Sequence, residues 1–178
     1  HKRFDLTAEK RFSLSDATKK YIGNMKEIAN VTIFLQGTLD ADFQRLQNRT
    51  IETLQEFNEY SGGKIKFHFE NPLEGTTTPK EQNEAMQAMA RKGILPVMAE
   101  VSQGADEAGY GEKVIFPYAL VAHNGREFPV NLIENRGGTS QQEVLNYASS
   151  LLEYKFAQAI QKTNLPDLPT IAYASGNK

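Results

Sequence analysis

The chain has 178 residues, 39% of them hydrophobic and 24% charged, a composition for one folded domain with a real core. Lys and Arg number 20 against 22 Asp and Glu, a net charge of −2 that argues against a protein built to grip phosphate backbone. There is no cysteine, which excludes disulfides, thiolate catalysis, Cys-ligated zinc and iron–sulfur clusters, and no apolar run approaches the ~20 residues needed to cross a bilayer.

A short alternating piece, Arg3-Phe4-Asp5-Leu6-Thr7, opens the chain. Ser13 or Ser15 can cap a first helix, with Asp16 in its positive first turn, and Tyr21, Ile22, Met25 and Ile28 give it one apolar stripe ending at Asn30. Val31 to Leu35 is a continuous β-branched and aromatic run, the pattern of a strand covered on both faces. Asp40 caps a second helix whose apolar positions are Phe43, Leu46, Ile51, Leu54 and Phe57, and Ser61-Gly62-Gly63 stops it. Lys64 to Phe69 then alternates strictly, with Ile65, Phe67 and Phe69 toward the core. Strand, helix and strand in so short a span form a βαβ unit, right-handed and parallel.

Thr78-Pro79-Lys80-Glu81 combines a cap, a proline at the first helical position and a glutamate two residues on, so it starts a third helix lined by Met86, Met89 and Ala90 and closed by Gly93. Residues 97–103 read as a strand and 104–111 as a glycine-containing loop. Two β-rich runs, 113–122 and 127–133, flank His123-Asn124-Gly125-Arg126, and Asn-Gly between such runs is a hairpin signal. Pro117 and Pro129 imply an edge or a bulge there. Ser140-Gln141-Gln142-Glu143 is a second capping box opening the longest helix, with Val144, Leu145, Ala148, Leu152, Phe156 and Ile160 on one side. The prolines at 166 and 169 end that region, and Thr170 to Ala174 reads as the first strand of a truncated following domain.

The fold expected from this order is α/β: a thioredoxin-like β-α-β-α-β-β-α core with a mixed sheet, preceded by an extra N-terminal strand and helix. It occupies residues 1–165, with 166–178 as linker and first strand of the next unit. Redox chemistry on such a core needs a thiolate near the start of the first core helix, and residues 37–42 read Gly-Thr-Leu-Asp-Ala-Asp. The expected scaffold therefore lacks its usual chemistry.

No cofactor, metal or catalytic residue emerges. His1, His68 and His123 have no partner at metal-pair spacing; His68 alternates outward and His123 falls at the hairpin tip. Gly104, Gly109 and Gly111 have neither a GxGxxG order nor a helix directly after them. Asn135-Arg136-Gly137-Gly138 precedes a capped helix, so backbone N–H groups and Arg136 could hold an anion, and these four residues are the candidate ligand contacts. Met86, Met89 and Met98 read as core filler.

Arg3-Phe4-Asp5-Leu6-Thr7, the following Lys10-Arg11-Phe12-Ser13-Leu14-Ser15, and Leu145-Asn146-Tyr147 through the 152–160 stretch resemble the GldG family, the auxiliary component of gliding-motility ABC transporters. Ile171-Ala172-Tyr173-Ala174-Ser175-Gly176 is similar to the strand that begins that family's next domain. The resemblance implies a Bacteroidetes-type extracytoplasmic domain on the periplasmic side of the inner membrane, anchored by segments outside these 178 residues. Its implied partners are ABC permease and ATPase subunits and other membrane or periplasmic proteins, with no nucleic acid. The expected function is non-enzymatic and acts through protein contacts. The alternative is a small-solute or saccharide-binding module, marked by a pocket lined with aromatics such as Tyr110, Phe116 or Tyr118.

Overall fold

The computed structural model describes residues 14–101, 111–133 and 140–164. The expected strand at residues 3–7, most of the glycine loop and the boundary at 165 with the tail beyond it lie outside the described residues.

The fold is α/β, with five helices and six strands among the described residues. In chain order they are α1 (Asp16–Gly23), β1 (Ala29–Ile33), α2 (Ala41–Tyr60), β2 (Ile65–Phe69), α3 (Pro79–Arg91), β3 (Val97–Val101), β4 (Gly111–Ile115), β5 (Tyr118–His123), β6 (Arg126–Asn131), α4 (Gln141–Ser150) and α5 (Leu152–Thr163). A mixed four-stranded sheet has the order β2-β1-β5-β6, while β3 and β4 form a sheet of their own. Strands β1 and β2 run parallel, as the βαβ reading requires, and β5 lies antiparallel to both β1 and β6. Helices α2, α4 and α5 cover one face, where Ile33, Leu54, Phe57, Leu152 and Phe156 are fully buried. A smaller core of Phe34, Ile94, Phe116 and Leu120 sits apart from it, with Met86 and Met89 packed against it.

Several local expectations are corrected. Helix α1 starts at the Ser15 cap but stops at Gly23, so Ile28 is 49% exposed instead of extending a stripe. Strand β1 alternates, with Asn30 exposed and Thr32 half-buried, because the second core reaches only its far end at Phe34. On α2 the buried set includes Thr50 and Thr53, while Ile51 is half-buried. Each threonine hydroxyl donates to the carbonyl four residues back at 2.8 Å, so no polar atom is stranded. Phe67 is half-buried and Phe69 exposed, because β2 is an edge strand. Helix α3 has the expected capping box and proline but no fully buried residue. Met98 is 57% exposed and is not core filler.

The run 113–122 is two strands. Pro117 cannot donate to a ladder; its carbonyl accepts from Leu132 N–H at 2.9 Å, and the chain passes from one sheet to the other there. Pro129 lies on β6, an edge strand as expected. The expected long last helix is split at Leu151 between α4 and α5. At the break the Ser150 hydroxyl donates to the Tyr147 carbonyl at 2.6 Å and Leu151 N–H bonds three residues back to Ala148. Helix α2, with 20 residues, is the longest described.

Asn124 and Gly125 have φ of 58° and 76° and join His123 to Arg126, as a type I′ turn requires. A side chain at Gly125 would meet open space, so its cost is purely one of backbone conformation. Gly125→Val is expected to destabilise the protein by about 1–2 kcal/mol, measured as a fall in the urea midpoint with unchanged slope.

Candidate functional site

The four sequence candidates Asn135, Arg136, Gly137 and Gly138 lie outside the described residues. The helix start that follows them is occupied from within. Ser140 Oγ accepts from Glu143 N–H at 3.2 Å, the Glu143 carboxylate accepts from Ser140 N–H at 3.3 Å, and the Gln141 amide donates to Asp40 and Asp42 at 3.0 and 3.2 Å. Asp40 also caps α2, accepting from Phe43 N–H at 2.9 Å, and Asp42 pairs with Arg45. The position where a thioredoxin-like core would carry its thiolate thus holds two carboxylates beside a glutamine, which disfavours an added anion.

The aromatic pocket does not form from the residues proposed for it. Phe116 is 3% exposed within the second core, Tyr118 packs against that core, and Tyr110 lies outside the described residues. His68 is exposed, with Nε2 3.4 Å from the Thr32 hydroxyl oxygen. Among the described residues no three His, Asp or Glu side chains cluster as metal ligands would.

His123 differs from its expectation. It is the last residue of β5, not an exposed tip, and only 4% of it is accessible. Alternation along β5 puts it in line with the buried Ala119 and Val121, a signal present in the sequence. At the C-terminus of α5 the Thr163 hydroxyl donates to the Ile160 carbonyl at 2.8 Å. Its oxygen lies 3.0 Å from His123 Nδ1, so the strand end and the helix end are joined through this pair. Nε2 is buried and has no hydrogen-bond partner. Burial lowers the pKa of this ring, and the backbone carbonyl and carboxylate of Glu27 oppose that shift.

The imidazole lines a cleft of about 480 Å³ between the segment after α1, the β5–β6 turn and the end of α5. Tyr21, Asn24, Met25, Lys26 and Glu27 form one wall and Asn164 the other. Asn164 is fixed by a bond from the Asn124 amide at 2.8 Å, so the hairpin turn and the helix end are tied together at the rim. Apart from His123, none of these residues stands out in the sequence, because they come from three places brought together only by the fold.

Two carboxylates on the helical face act differently. Burial pushes Glu153 up, but the Thr18 hydroxyl at 2.6 Å, Ser15 N–H at 3.0 Å and Lys19 outweigh it, and its pKa is lowered. Glu153 therefore anchors the start of α1 to α5. Glu56 has one buried oxygen without a partner, and burial raises its pKa against Arg49 and Lys19, with Glu59 and Glu153 adding to the rise.

No curated protein and no solved structure matches the chain. Residues 8–122, from ahead of α1 to the penultimate residue of β5, match the domain of unknown function DUF7088, and with more than half of its length covered the chain belongs to that family.

Proposed function

We propose that the chain is a non-enzymatic extracytoplasmic module of a GldG-type ABC-transporter auxiliary protein, acting through protein contacts on a thioredoxin-like scaffold that has lost its redox chemistry. The order β-α-β-α-β-β-α, with α4 and α5 together in the last place and β3–β4 inserted, supports the scaffold reading. The observation that carries the contact reading is the exposure of two apolar side chains close in sequence, Leu95 and Met98, 51% and 57% accessible, on and beside a hairpin outside the main sheet. A helix without a fully buried residue, α3, leads into it. Apolar side chains held in water at one place are a recurring feature of protein-binding surfaces. No described helix is long and apolar enough to cross a membrane, and the anchor on this reading is supplied by segments outside these 178 residues.

The test is affinity capture of the full membrane-anchored protein in mild detergent. An ABC permease is expected to co-purify with the intact protein, and Leu95→Glu with Met98→Glu is expected to abolish its capture without lowering the melting temperature. Intact protein that brings down no ABC permease would refute the proposal.

A further inference from the structure

The four-stranded sheet ends in two edges that are built differently. The two-residue turn makes His123 and Arg126 a hydrogen-bonded pair, so along β6 the main chain of Glu127, Pro129 and Asn131 faces outward. Pro129 has no N–H to offer there, and the Asn131 carbonyl already accepts from Lys155 at 2.8 Å. The β6 edge is thereby blunted against a further strand.

The β2 edge is open. Ala29 N–H bonds to the Lys64 carbonyl at 2.8 Å and Glu70 N–H to the Ile33 carbonyl at 3.0 Å, which sets the even-numbered residues of β2 toward β1. Ile65, Phe67 and Phe69 therefore turn their N–H and C=O groups outward. The Asn58 amide donates to the Ile65 carbonyl, but the main-chain groups of Phe67 and Phe69 have no partner among the described residues. No proline interrupts the strand, and Phe69, on the same face as the buried Ile65, is 38% exposed. An open main-chain row beside exposed aromatic surface is a template for strand pairing.

The residues of β2 fit a copy of themselves. Set antiparallel about a two-fold axis at Phe67, the strand pairs Phe67 with Phe67, Ile65 with Phe69, and Lys66 with His68 of the other copy. The outward main-chain groups are then the ones that exchange hydrogen bonds, apolar side chains lie opposite one another on the core face, and no two lysines meet. A carbonyl has two lone pairs, so Ile65 keeps its bond from Asn58. We propose that the β2 edge is a self-association surface, on which a second copy of this chain pairs antiparallel through residues 65–69 and joins the two sheets into one. The pairing is isologous and the β6 edge is blunted, so association stops at two copies. One strand pair makes a small interface, of the weak and reversible kind.

Sedimentation equilibrium of the whole chain, from micromolar to millimolar concentration, tests this. The mass is expected to rise from that of one chain toward that of two and no further. A sample mixing isotope-labelled and unlabelled copies is expected to show an intermolecular Hα–Hα contact between Lys66 and His68, since such non-hydrogen-bonded neighbours bring their Cα atoms to ~4.5 Å. Phe69→Lys adds a charge at an exposed site without touching the β1–β2 ladder, and should weaken dimerisation about tenfold with the melting temperature unchanged. Leu95→Glu with Met98→Glu, at the β3–β4 hairpin, should leave the dimer as strong as the parent's, which separates this surface from the one that meets the permease. The proposal is overturned by a chain that stays monomeric at millimolar concentration, by a dimer without the Lys66–His68 contact, by Phe69→Lys dimerising as the parent does, or by loss of the dimer in the hairpin variant. It is equally overturned if the Phe67 and Phe69 amides are protected from exchange in the dilute monomer, which would mean that another part of the chain covers the edge.

Discussion

Phe156→Ala is expected to lower the unfolding free energy by about 3–5 kcal/mol, the range for removing a large buried aromatic side chain. Phe156 is fully buried on α5 and meets Phe57 of α2 edge to face, ring centroids 6.4 Å apart at 69°. The pair joins the helix inside the βαβ unit to the last helix of the domain, far apart in sequence, so truncation removes transfer energy and leaves a cavity between two helices that cannot both collapse into it. Urea unfolding measures the loss. Phe57→Ala should cost a similar amount, and the double variant should show a coupling of about 0.5–1.5 kcal/mol from the ring geometry. A loss below about 1 kcal/mol for Phe156→Ala would mean that α5 is not packed on α2 in solution.

The second expected result concerns His123. His123→Ala removes a buried ring and its bond to Thr163 and should cost about 2–3 kcal/mol near neutral pH. The parent's pH dependence has a definite sign. The pKa of His123 is lowered from 6.5 when folded, so between the folded and unfolded values the unfolded chain binds more protons. Stability at this group is therefore full above 6.5, falls as the pH drops through 6.5, and levels off below the folded pKa. Glu27 moderates the effect by favouring the charged ring, and Lys26 stands in the same cleft wall. Raised Glu56 acts in the opposite sense, since its folded form takes up a proton first and gains stability on acidification. Comparison with His123→Gln, which cannot titrate, isolates the histidine. The parent should lose stability between about pH 7.5 and 5.5 more steeply than His123→Gln. Parallel curves would show that the ring is solvated in solution.

Much of the architecture was legible from local chemistry. Ser15, Asp40, Thr78 and Ser140 each begin a helix as expected, because a side-chain oxygen placed to take a free first-turn N–H is a requirement met within four residues. Asn124-Gly125 specified its turn for the same reason, since positive φ at two successive positions is cheap only for such residues. The parallel β1–β2 pair followed from the length and pattern of the segment between them.

What the sequence could not decide is which surfaces meet. Ile28, Phe69 and Met98 have core-type side chains yet stand exposed, because one helix ended early, one strand lay at an edge and one hairpin left the main sheet. Thr50 and Thr53 are buried because their hydroxyls were satisfied within α2, so neighbours could close over them. The cleft is the clearest case. Its His123 is placed by strand alternation, but Tyr21 to Glu27 and Asn164 reach it from opposite ends of the described chain, and no periodicity encodes a contact across that separation. Spacing rules act over a few residues along one element, whereas a cleft is made by packing between elements, and only the tertiary structure could show that a buried imidazole lies beside one.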